Sequence, residues 1–330
     1  MVLPVERAFW VVSPSVGEIR PARVAEPGPG EVLVRTLHSG ISRGTETLVF
    51  RGGVPPSQYA TMRAPFQEGD FPGPVKYGYL NVGVVEVGPP ALAGRTVFSL
   101  YPHQTRFVVP ESAVFVVPDG VPQVRAVLGG LVETALNAAW DSAPMLGDRI
   151  AVVGAGTVGC CVARLLGQVP GTRVSLVDVD PGRAAVAAAL GVGFVPADEA
   201  VAEVPACDLV VHTSATSEGL QLSIDLLAAD GAVTELSWYG DREVRLALGE
   251  GFHSRRLSVR SSQVGEVAAP RRSRRTRADR MTLALELLRD PALDVLLTGE
   301  SVFEDLPEVI GALADGTTTA LCHTVSYRQG

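Results

Sequence analysis

Several features that define whole classes of proteins are missing from this chain of 330 residues. It has no run of 18 or more apolar residues, which argues against a membrane-spanning helix. The first ten residues, MVLPVERAFW, lack the basic and apolar regions of a signal peptide. The only cysteines are Cys160, Cys161, Cys207 and Cys322, whose spacing fits neither a disulfide framework nor a CxxC metal site. We therefore expect a soluble, cytoplasmic protein.

Lysine is almost absent: Lys76 is the only one among 28 basic residues, a bias typical of arginine-rich codon usage. The net charge of −8 argues against nucleic acid or an anionic membrane as the main partner. Hydrophobic residues make up 46% of the chain and charged residues 19%, which is typical of an ordered globular protein. The length exceeds what a single core usually serves, so two domains are expected.

The first part of the chain, residues 1–121, is predicted to be a β-rich domain. Short apolar or alternating runs are separated by Gly and Pro, as in antiparallel sheets. Residues 50–75 are polar and rich in Pro and Gly, so they are expected to be loops. The predicted strands lie at 31–37, 82–87, 96–100 and 106–109.

The pattern changes near residue 122, where a helix is predicted over 124–141. From Asp148 onward, buried β-branched runs alternate with helical segments, which predicts a parallel sheet covered on both faces. The fold class is therefore predicted as α/β, with a Rossmann doubly wound parallel sheet plus a β-rich domain. After the strand Leu257–Val264, the sequence predicts a helix over Ala278–Leu288 and a closing strand over Thr319–Tyr327.

A glycine-rich turn follows the first strand of that sheet. Gly154, Gly156 and Gly159 form a G-x-G-x-x-G pattern, which suits a tight turn, close approach of a pyrophosphate and close helix packing. The helix that starts at Thr157 and Val158 would direct its free N–H groups at the phosphates.

Asp178 ends the next strand, 19 residues after Gly159, where a carboxylate accepts hydrogen bonds from the adenosine ribose and repels a 2′-phosphate. The sequence therefore predicts NAD(H) as the cofactor. Arg183 either stacks on the adenine or is a solvated charge.

The segments GEVLVRTLHSGISRGTETLVFRG and FPGPVKYGYLNVGVVEVG resemble the two active-site segments of the medium-chain dehydrogenase/reductase superfamily, the relatives of zinc alcohol dehydrogenase. ISRGTE, LYPHQTRFVVP and RRLSVRSSQVG are most similar to its bacteriochlorophyllide dehydrogenase-like branch. The resemblance implies a GroES-like catalytic domain (1–121), a Rossmann domain (122–265) and a return to the catalytic domain (266–330).

The zinc ligands of that superfamily are missing here. Ser42 or Arg43 stands in place of the first cysteine, and Tyr79 in place of the histidine. The third position falls on Gly130, with Glu133 one helical turn later. Zinc requires thiolate, imidazole or carboxylate ligands in a tetrahedral array, so no metal is expected.

Without a metal, hydride transfer needs another group to hold the carbonyl oxygen. The resemblance directs Tyr79 into the cleft, where its phenol could donate a hydrogen bond, with Lys76 expected to lower its pKa; alternatively Tyr79 only fills the space of the zinc. His103 is either a proton shuttle or a structural histidine. Thr45 matches the hydroxyl of the superfamily's proton relay, or is a turn residue after Gly44.

By the same resemblance, Thr134 lies on the helix that packs against the nicotinamide, or serves only in helix packing. Ser262 ends the strand that passes beside the nicotinamide. The cluster Arg271–Arg277 is either a solvated loop or a site for the carboxylates or phosphates of an anionic substrate.

Together these features predict an NAD(H)-dependent, zinc-independent oxidoreductase that interconverts a secondary alcohol and a ketone on a large or anionic small molecule. Specialised or tetrapyrrole metabolism is one setting for such a reaction. The alternatives are a quinone or enoyl reductase and a catalytically silent NAD(H)-binding redox sensor. We expect a homodimer that binds a small-molecule substrate.

Overall fold

The computed structural model describes residues 6–328, so part of the segment tested for a signal peptide lies outside the described residues. The chain divides into two compact units. Unit 1 contains the residues up to Gly130 together with those from Leu297 onward, and unit 2 is Leu131–Leu296. In the described part of the chain, no helix is both long and apolar enough to span a membrane.

The first part of unit 1 is built mainly of short strands, as the punctuation by Gly and Pro predicts. Its two helices are α1 (Arg43–Phe50) and α2 (Gln123–Ala126). Its strands are β1 (Arg7–Ser13), β2 (Val16–Pro21), β3 (Glu31–Ile41), β4 (Glu68–Gly69), β5 (Val75–Lys76), β6 (Asn81–Val87), β7 (Thr96–Ser99), β8 (Arg106–Pro110) and β9 (Val114–Val116).

Unit 2 follows, with strands and helices in alternation. Its helices are α3 (Gly129–Ser142, which begins in unit 1), α4 (Thr157–Gly167), α5 (Arg183–Ala189), α6 (Ala200–Glu203), α7 (Ser217–Asp225), α8 (Gly251–Ser254) and α9 (Arg277–Leu287). Its strands are β10 (Arg149–Val153), β11 (Arg173–Asp178), β12 (Gly193–Pro196), β13 (Cys207–His212), β14 (Leu227–Glu235) and β15 (Ser258–Ser261).

The chain then returns to unit 1 with strand β16 (Leu297–Val302), helix α10 (Leu306–Asp315) and strand β17 (Cys322–Ser326). Strand β17 pairs with β3 in antiparallel register, Val325 opposite Ser39, and so joins the two parts of the unit in one sheet. The seven-stranded sheet has the order β16-β17-β3-β6-β7-β9, with β8 also paired to β3, and a second sheet has the order β2-β1-β5-β4.

The core of unit 1 lies against β3, whose residues alternate between buried and half-buried positions. Val32 and Val34 are fully buried there against Val85, Val97 and Phe107. Burying a side chain of this size stabilises a fold by about 1.5–3 kcal/mol. This core therefore fixes β3, at whose end the candidate catalytic segment begins.

Unit 2 contains a six-stranded parallel sheet in the order β12-β11-β10-β13-β14-β15. Numbered within the unit, this is the 3-2-1-4-5-6 order of dinucleotide-binding sheets, with the switch point between β10 and β13. The predicted fold class, a Rossmann sheet with a separate β-rich domain, is confirmed.

The two compact units divide the chain at other residues than the predicted domains: unit 2 is Leu131–Leu296, whereas the predicted Rossmann domain is 122–265. Helix α9 belongs to unit 2, whereas the resemblance implied a return to the first domain at residue 266. The physical reason is the fully buried Arg280 of α9. Its guanidinium donates to Glu133 Oε1 at 3.0 Å and to Asn137 Oδ1 at 2.6 Å, both on α3, which ties the segment to unit 2.

Candidate functional site

The turn after β10 has the backbone geometry that the glycine pattern predicts. Gly154 has φ +106°, and a Cβ placed there would lie 2.7 Å from the Ser214 nitrogen, so only glycine fits. Thr213 Oγ1 donates to the Gly154 carbonyl at 2.7 Å and links the turn to the end of β13. A Cβ on Gly159 would collide with the same carbonyl, so this glycine allows α4 to pack against the turn.

Gly156 differs from the other two glycines. Its φ is −71°, and no atom lies within 4 Å of a Cβ placed on it. Its side of the turn is therefore open. Thr157 and Val158 are the first residues of α4, and the first turn of a helix offers N–H groups that have no acceptor within the helix. An open backbone at a helix N-terminus is suited to an anionic ligand.

Asp178 lies at the end of β11 and faces this turn. Its Oδ2 accepts the Ala155 N–H at 2.6 Å and its Oδ1 accepts the Asp180 N–H at 2.9 Å. A carboxylate oxygen has a second lone pair, so Asp178 can still accept from a ribose hydroxyl. Arg183 is not a free surface charge, because its Nε lies 3.2 Å from Asp180 Oδ2.

The other two residues predicted for the cofactor lie elsewhere in unit 2. Ser262 follows β15; its hydroxyl donates to Asp141 Oδ2 at 2.7 Å, and its N–H donates to the Glu235 carbonyl at 2.9 Å. Thr134 is on α3, two helical turns before Asp141, and thus on the same face of the helix. Ser262 is therefore hydrogen-bonded to α3, the helix that also carries Thr134, through the Asp141 side chain.

The Arg271–Arg277 cluster is exposed; residues 271–276 precede α9 and Arg277 is its first residue. Arg277 pairs with Glu266 at 2.8 Å, and Arg272 donates to the Val267 carbonyl at 3.1 Å. Helix α9 begins with a capping box between Thr276 and Asp279, which explains why the turn ends there.

A polar cluster that sequence reasoning missed lies at the carboxyl ends of β13 and β14. His212 is fully buried; its Nδ1 is 2.7 Å from Glu235 Oε2 and its Nε2 is 2.6 Å from Ser214 Oγ. Burial alone would raise the pKa of Glu235, but the bond to His212 and the Ser237 N–H outweigh it and lower that pKa. The strings VVHTSA and TELSWYG carry these residues, and their polar ends were the available signal.

In unit 1, the candidate catalytic residues Thr45 and Tyr79 lie close together. The Tyr79 hydroxyl donates to Ser42 Oγ at 2.6 Å. Burial, reinforced by the nearby Glu46 carboxylate, raises the pKa of Tyr79 to about 12, although hydrogen bonds with Ser42 and Thr45 oppose the rise. Tyr79 is therefore a protonated phenol at neutral pH.

Lys76 does not lower the pKa of Tyr79, contrary to the prediction from the sequence. The buried Lys76 ammonium pairs with Glu68 and donates to Gln104 Oε1 at 2.6 Å, with the Tyr101 ring 5.2 Å away. Its charge is satisfied by these groups, and it does not appear among the groups that shift the pKa of Tyr79.

His103 is 1% exposed and both of its ring nitrogens have partners. Nε2 lies 2.8 Å from Glu46 Oε2, and Nδ1 lies 2.7 Å from Ser39 Oγ, which in turn is 2.9 Å from the Tyr327 hydroxyl. Glu46 Oε1 also accepts the Ser42 N–H at 2.8 Å. His103 is thus joined to Ser42 through Glu46, a residue that the sequence analysis did not single out.

These positions do not fit zinc. Ser42 and Tyr79 are neutral hydroxyls bonded to each other, and Glu133 is bonded to Arg280. Within residues 6–328, His, Cys, Asp and Glu side chains form no group of three or more that could hold a metal ion. Zinc needs at least three such ligands, so the side chains at these positions do not fit a zinc site.

Comparison with known proteins supports the resemblance seen in the sequence. No protein-family model matches the chain. It is 32% identical over 162 residues to 2-desacetyl-2-hydroxyethyl bacteriochlorophyllide A dehydrogenase of Cereibacter sphaeroides, covering 42% of this chain and 46% of that protein. The chain thus spans about half the length of this curated relative.

Solved structures match the whole fold at low sequence identity. One is described as a short chain alcohol dehydrogenase of Escherichia coli CFT073, complexed with NADH; its TM-score is 0.77 at 17% identity, covering 98% of this chain and 99% of that chain. Another, described as a zinc-binding dehydrogenase of Sinorhizobium meliloti 1021 bound to NADP, has a TM-score of 0.78 at 18% identity, covering 98% of this chain and 100% of that chain. The predicted resemblance is confirmed, and the solved structures show that the fold is that of alcohol dehydrogenases.

Proposed function

We propose that this protein is an NAD(H)-dependent, zinc-independent oxidoreductase that interconverts a secondary alcohol and a ketone. The observation that carries the proposal is the turn from Gly154 to Gly159. It lies at the switch point of a 3-2-1-4-5-6 sheet, is open at Gly156 and faces the Asp178 carboxylate. Open α/β sheets bind dinucleotides at this position.

Different groups of the chain would bind different parts of the dinucleotide. The Gly156 backbone and the N–H groups of Thr157 and Val158 would hold the pyrophosphate, and Asp178 would accept from the adenosine ribose. A 2′-phosphate would be repelled by the Asp178 carboxylate, which supports NAD(H) over NADP(H). When bound, the nicotinamide supplies or accepts the hydride. Arg183, Thr134 and Ser262 remain predictions as cofactor contacts.

The reacting oxygen needs a hydrogen-bond donor, because a carbonyl oxygen gains negative charge as hydride arrives. Tyr79, Ser42 and Thr45 provide hydroxyls in one group, and the raised pKa keeps the Tyr79 phenol protonated. His103 is less suited, since Glu46 and Ser39 occupy its two nitrogens. We assign the binding of the reacting oxygen to these three hydroxyls. His103 helps to position them, because it is joined to Ser42 through Glu46.

The substrate class follows from the relative and the charge distribution. The relative's name specifies a hydroxyethyl bacteriochlorophyllide, so a hydroxyethyl or acetyl group on a large ring is a fitting substrate for this chain. The exposed guanidiniums of the Arg271–Arg277 cluster suit a substrate that carries carboxylates. A homodimer remains our prediction for the assembly.

Cofactor titration tests the proposal. Tryptophan and NADH fluorescence should show saturable binding of NADH and much weaker binding of NADPH. Asp178→Ala should weaken NADH binding and reduce the preference over NADPH, whereas Asp225→Ala, an exposed carboxylate on α7 of the same unit, should leave both unchanged. Equal affinities of the unaltered protein for NADH and NADPH would contradict the cofactor assignment.

Turnover is then measured by the absorbance of NADH with a panel that includes acetophenone and, in reverse, 1-phenylethanol with NAD+. These compounds carry the acetyl and hydroxyethyl groups on an aromatic ring. Reversible turnover supports the oxidoreductase. NADH binding without turnover of any carbonyl in the panel would favour a redox sensor instead.

A further inference from the structure

Three side chains of unit 2 have the arrangement of a serine hydrolase triad. His212 and Glu235 end β13 and β14 and are paired in the parallel register, so their side chains lie on the same face of the sheet. His212 Nδ1 lies 2.7 Å from Glu235 Oε2, and His212 Nε2 lies 2.6 Å from Ser214 Oγ. A serine and a carboxylate joined to opposite nitrogens of one histidine define such a triad on any fold.

The carboxylate fixes the direction of these hydrogen bonds. Burial would raise the pKa of Glu235, but its hydrogen bonds, above all the one with His212, lower that pKa, so Glu235 is ionised and only accepts. His212 Nδ1 therefore donates, and the neutral ring presents Nε2 as the acceptor of the Ser214 hydroxyl proton. Thr216 Oγ1 accepts the Gly219 N–H at 3.0 Å, and its own hydroxyl can donate to Ser214 Oγ at 2.9 Å. The proton of Ser214 is thus directed at the histidine.

Burial distinguishes the base from the nucleophile. The His212 side chain is fully buried and that of Glu235 is 11% exposed, so water has little access to their bond. Ser214 is half-buried and Thr216 is exposed, so the hydroxyl end of the network reaches the surface of the unit. A buried base behind a serine at the surface is the arrangement that activates a serine for nucleophilic attack.

The turn that carries Ser214 is held in an uncommon conformation. Ala215 has φ +54°, and backbone of this kind in a non-glycine residue is concentrated at functional sites. The Ala215 N–H donates to Ser237 Oγ at 3.0 Å and so fixes the turn. A Cβ on Gly219 would collide with Ser214 Oγ, so the space beside the hydroxyl is narrow and suits a small acyl group.

We propose that Ser214 is a nucleophilic serine and that unit 2 hydrolyses carboxylic esters with a small acyl group, an activity separate from the proposed oxidoreductase. Ser214 Oγ attacks the ester carbonyl carbon as its proton moves to His212 Nε2, and the carbonyl π electrons move to oxygen. When these electrons return, the bond to the leaving alkoxide breaks, and His212 gives its proton to the alkoxide. Glu235 holds the imidazole and stabilises its positive charge.

Water completes the cycle. It attacks the acyl group on Ser214 Oγ as one of its protons moves to His212. The bond between the acyl carbon and Ser214 Oγ then breaks, the acid leaves, and the proton passes from His212 to Ser214. Helix α7 begins three residues after Ser214, and its first turn offers N–H groups without an acceptor in the helix, which suit the negative charge of each intermediate.

A fluorophosphonate probe tests the nucleophile directly, since it requires a serine that a base activates. The full chain without NADH should be labelled, and peptide mass spectrometry should place the label on Ser214. Ser214→Ala should remove the label, whereas Ser217→Ala, the matched control in the first turn of α7, should keep it. Glu235→Gln should slow labelling by about 100-fold or more. An unlabelled protein, or a label that Ser214→Ala retains, would overturn the proposal.

Hydrolysis is measured by release of p-nitrophenol from p-nitrophenyl acetate. The rate should fall by about 100-fold or more in Ser214→Ala and stay unchanged in Ser217→Ala. Equal rates for the unaltered protein and Ser214→Ala would reject the activity. None of these measurements uses a dinucleotide, so their failure would leave the oxidoreductase proposal untouched.

A thiol at the same position tests the histidine independently. The native cysteines are all buried, so an alkylating reagent meets little competition from them. The thiol of Ser214→Cys, beside His212, should ionise at neutral pH and react with iodoacetamide at least about tenfold faster than that of Ser217→Cys. Equal rates for the two variants would show that His212 activates nothing at this position and would contradict the triad.

Discussion

His103 Nε2 lies 2.8 Å from Glu46 Oε2, and the two side chains are 1% and 3% exposed. Both carboxylate oxygens and both ring nitrogens of this pair are hydrogen-bonded: Glu46 also accepts the Ser42 N–H, and His103 also contacts Ser39. Such a network is costly to break, because each buried group that loses its partner keeps its desolvation penalty. The pair therefore links the stability of unit 1 to the position of the Ser42 backbone.

The first prediction concerns Glu46→Leu. This change leaves the Ser42 N–H and His103 Nε2 without their acceptor, and each orphaned buried donor costs about 1–3 kcal/mol. Urea unfolding should show that loss in the free energy of unfolding. Glu18→Leu, which removes an exposed carboxylate of β2, is the control and should change it by less than about 0.5 kcal/mol. Equal effects of the two changes would contradict a buried network.

The second prediction separates folding from cofactor binding at one glycine. A Cβ on Gly156 meets no protein atom within 4 Å, so Gly156→Ala should leave the free energy of unfolding nearly unchanged. The added methyl group would occupy the open side of the turn and should weaken NADH binding at least tenfold. Fluorescence titration and urea unfolding of the same variant measure both quantities.

Two further variants control this test. Gly311→Ala in α10 also meets open space and should leave NADH binding unchanged while stabilising the helix by about 0.5–1 kcal/mol. Gly154→Ala should instead destabilise the fold, because of its φ of +106° and the close Ser214 nitrogen. Unimpaired NADH binding by Gly156→Ala would place the dinucleotide elsewhere.

The third prediction concerns the buried ion pair of Arg280 and Glu133. Arg280→Met leaves a buried carboxylate unpaired and should cost about 3–5 kcal/mol of unfolding free energy. Adding Glu133→Leu should recover part of the loss, since no unpaired charge remains. A double variant as unstable as Arg280→Met would show that packing, and not charge, sets the cost.

The pH dependence of the stability of Arg280→Met provides a second test of the buried Glu133 carboxylate. Burial raises the pKa of Glu133 above its ordinary value of 4.5 even though Arg280 opposes the rise. A raised pKa in the folded state means that stability is lost as pH rises above about 4.5 through the folded value. Without Arg280 this loss of stability should be larger. The free energies of unfolding at pH 5 and pH 8 should therefore differ more in Arg280→Met than in the unaltered protein.

The sequence predicted the parallel sheet and its glycine turn well, because buried β-branched runs and a G-x-G-x-x-G depend on local pattern alone. It did not predict α1 (Arg43–Phe50), and one of its two interpretations of Thr45, a turn residue after Gly44, places a turn within this helix. Helix α9 was found, but its place in unit 2 depends on Arg280 meeting Glu133 across 147 positions of sequence.

The sequence predicted individual residues of the candidate catalytic site, but not the hydrogen bonds that connect them. Tyr79, His103 and Thr45 were selected by their positions in segments that resemble a known family. Glu46 and Ser39 join His103 through contacts 57 and 64 positions apart, and no local pattern encodes these. The pKa of Tyr79 was predicted in the wrong direction because the partners of Lys76 depend on how β5 packs.

The last prediction is that the protein works without zinc. A zinc ion acts as a Lewis acid when three protein ligands hold it and one position stays open. The hydroxyl of Ser42 is a poor ligand, and burial raises the pKa of Tyr79 to about 12, so its phenolate is not available at neutral pH. Elemental analysis of protein purified without chelator should find far less than one zinc per chain. A chelator such as 1,10-phenanthroline should leave NADH-dependent turnover unchanged, while a zinc alcohol dehydrogenase treated alongside loses its activity. Stoichiometric zinc that disappears together with the activity would reject this prediction and direct the search for ligands to His38 and His103.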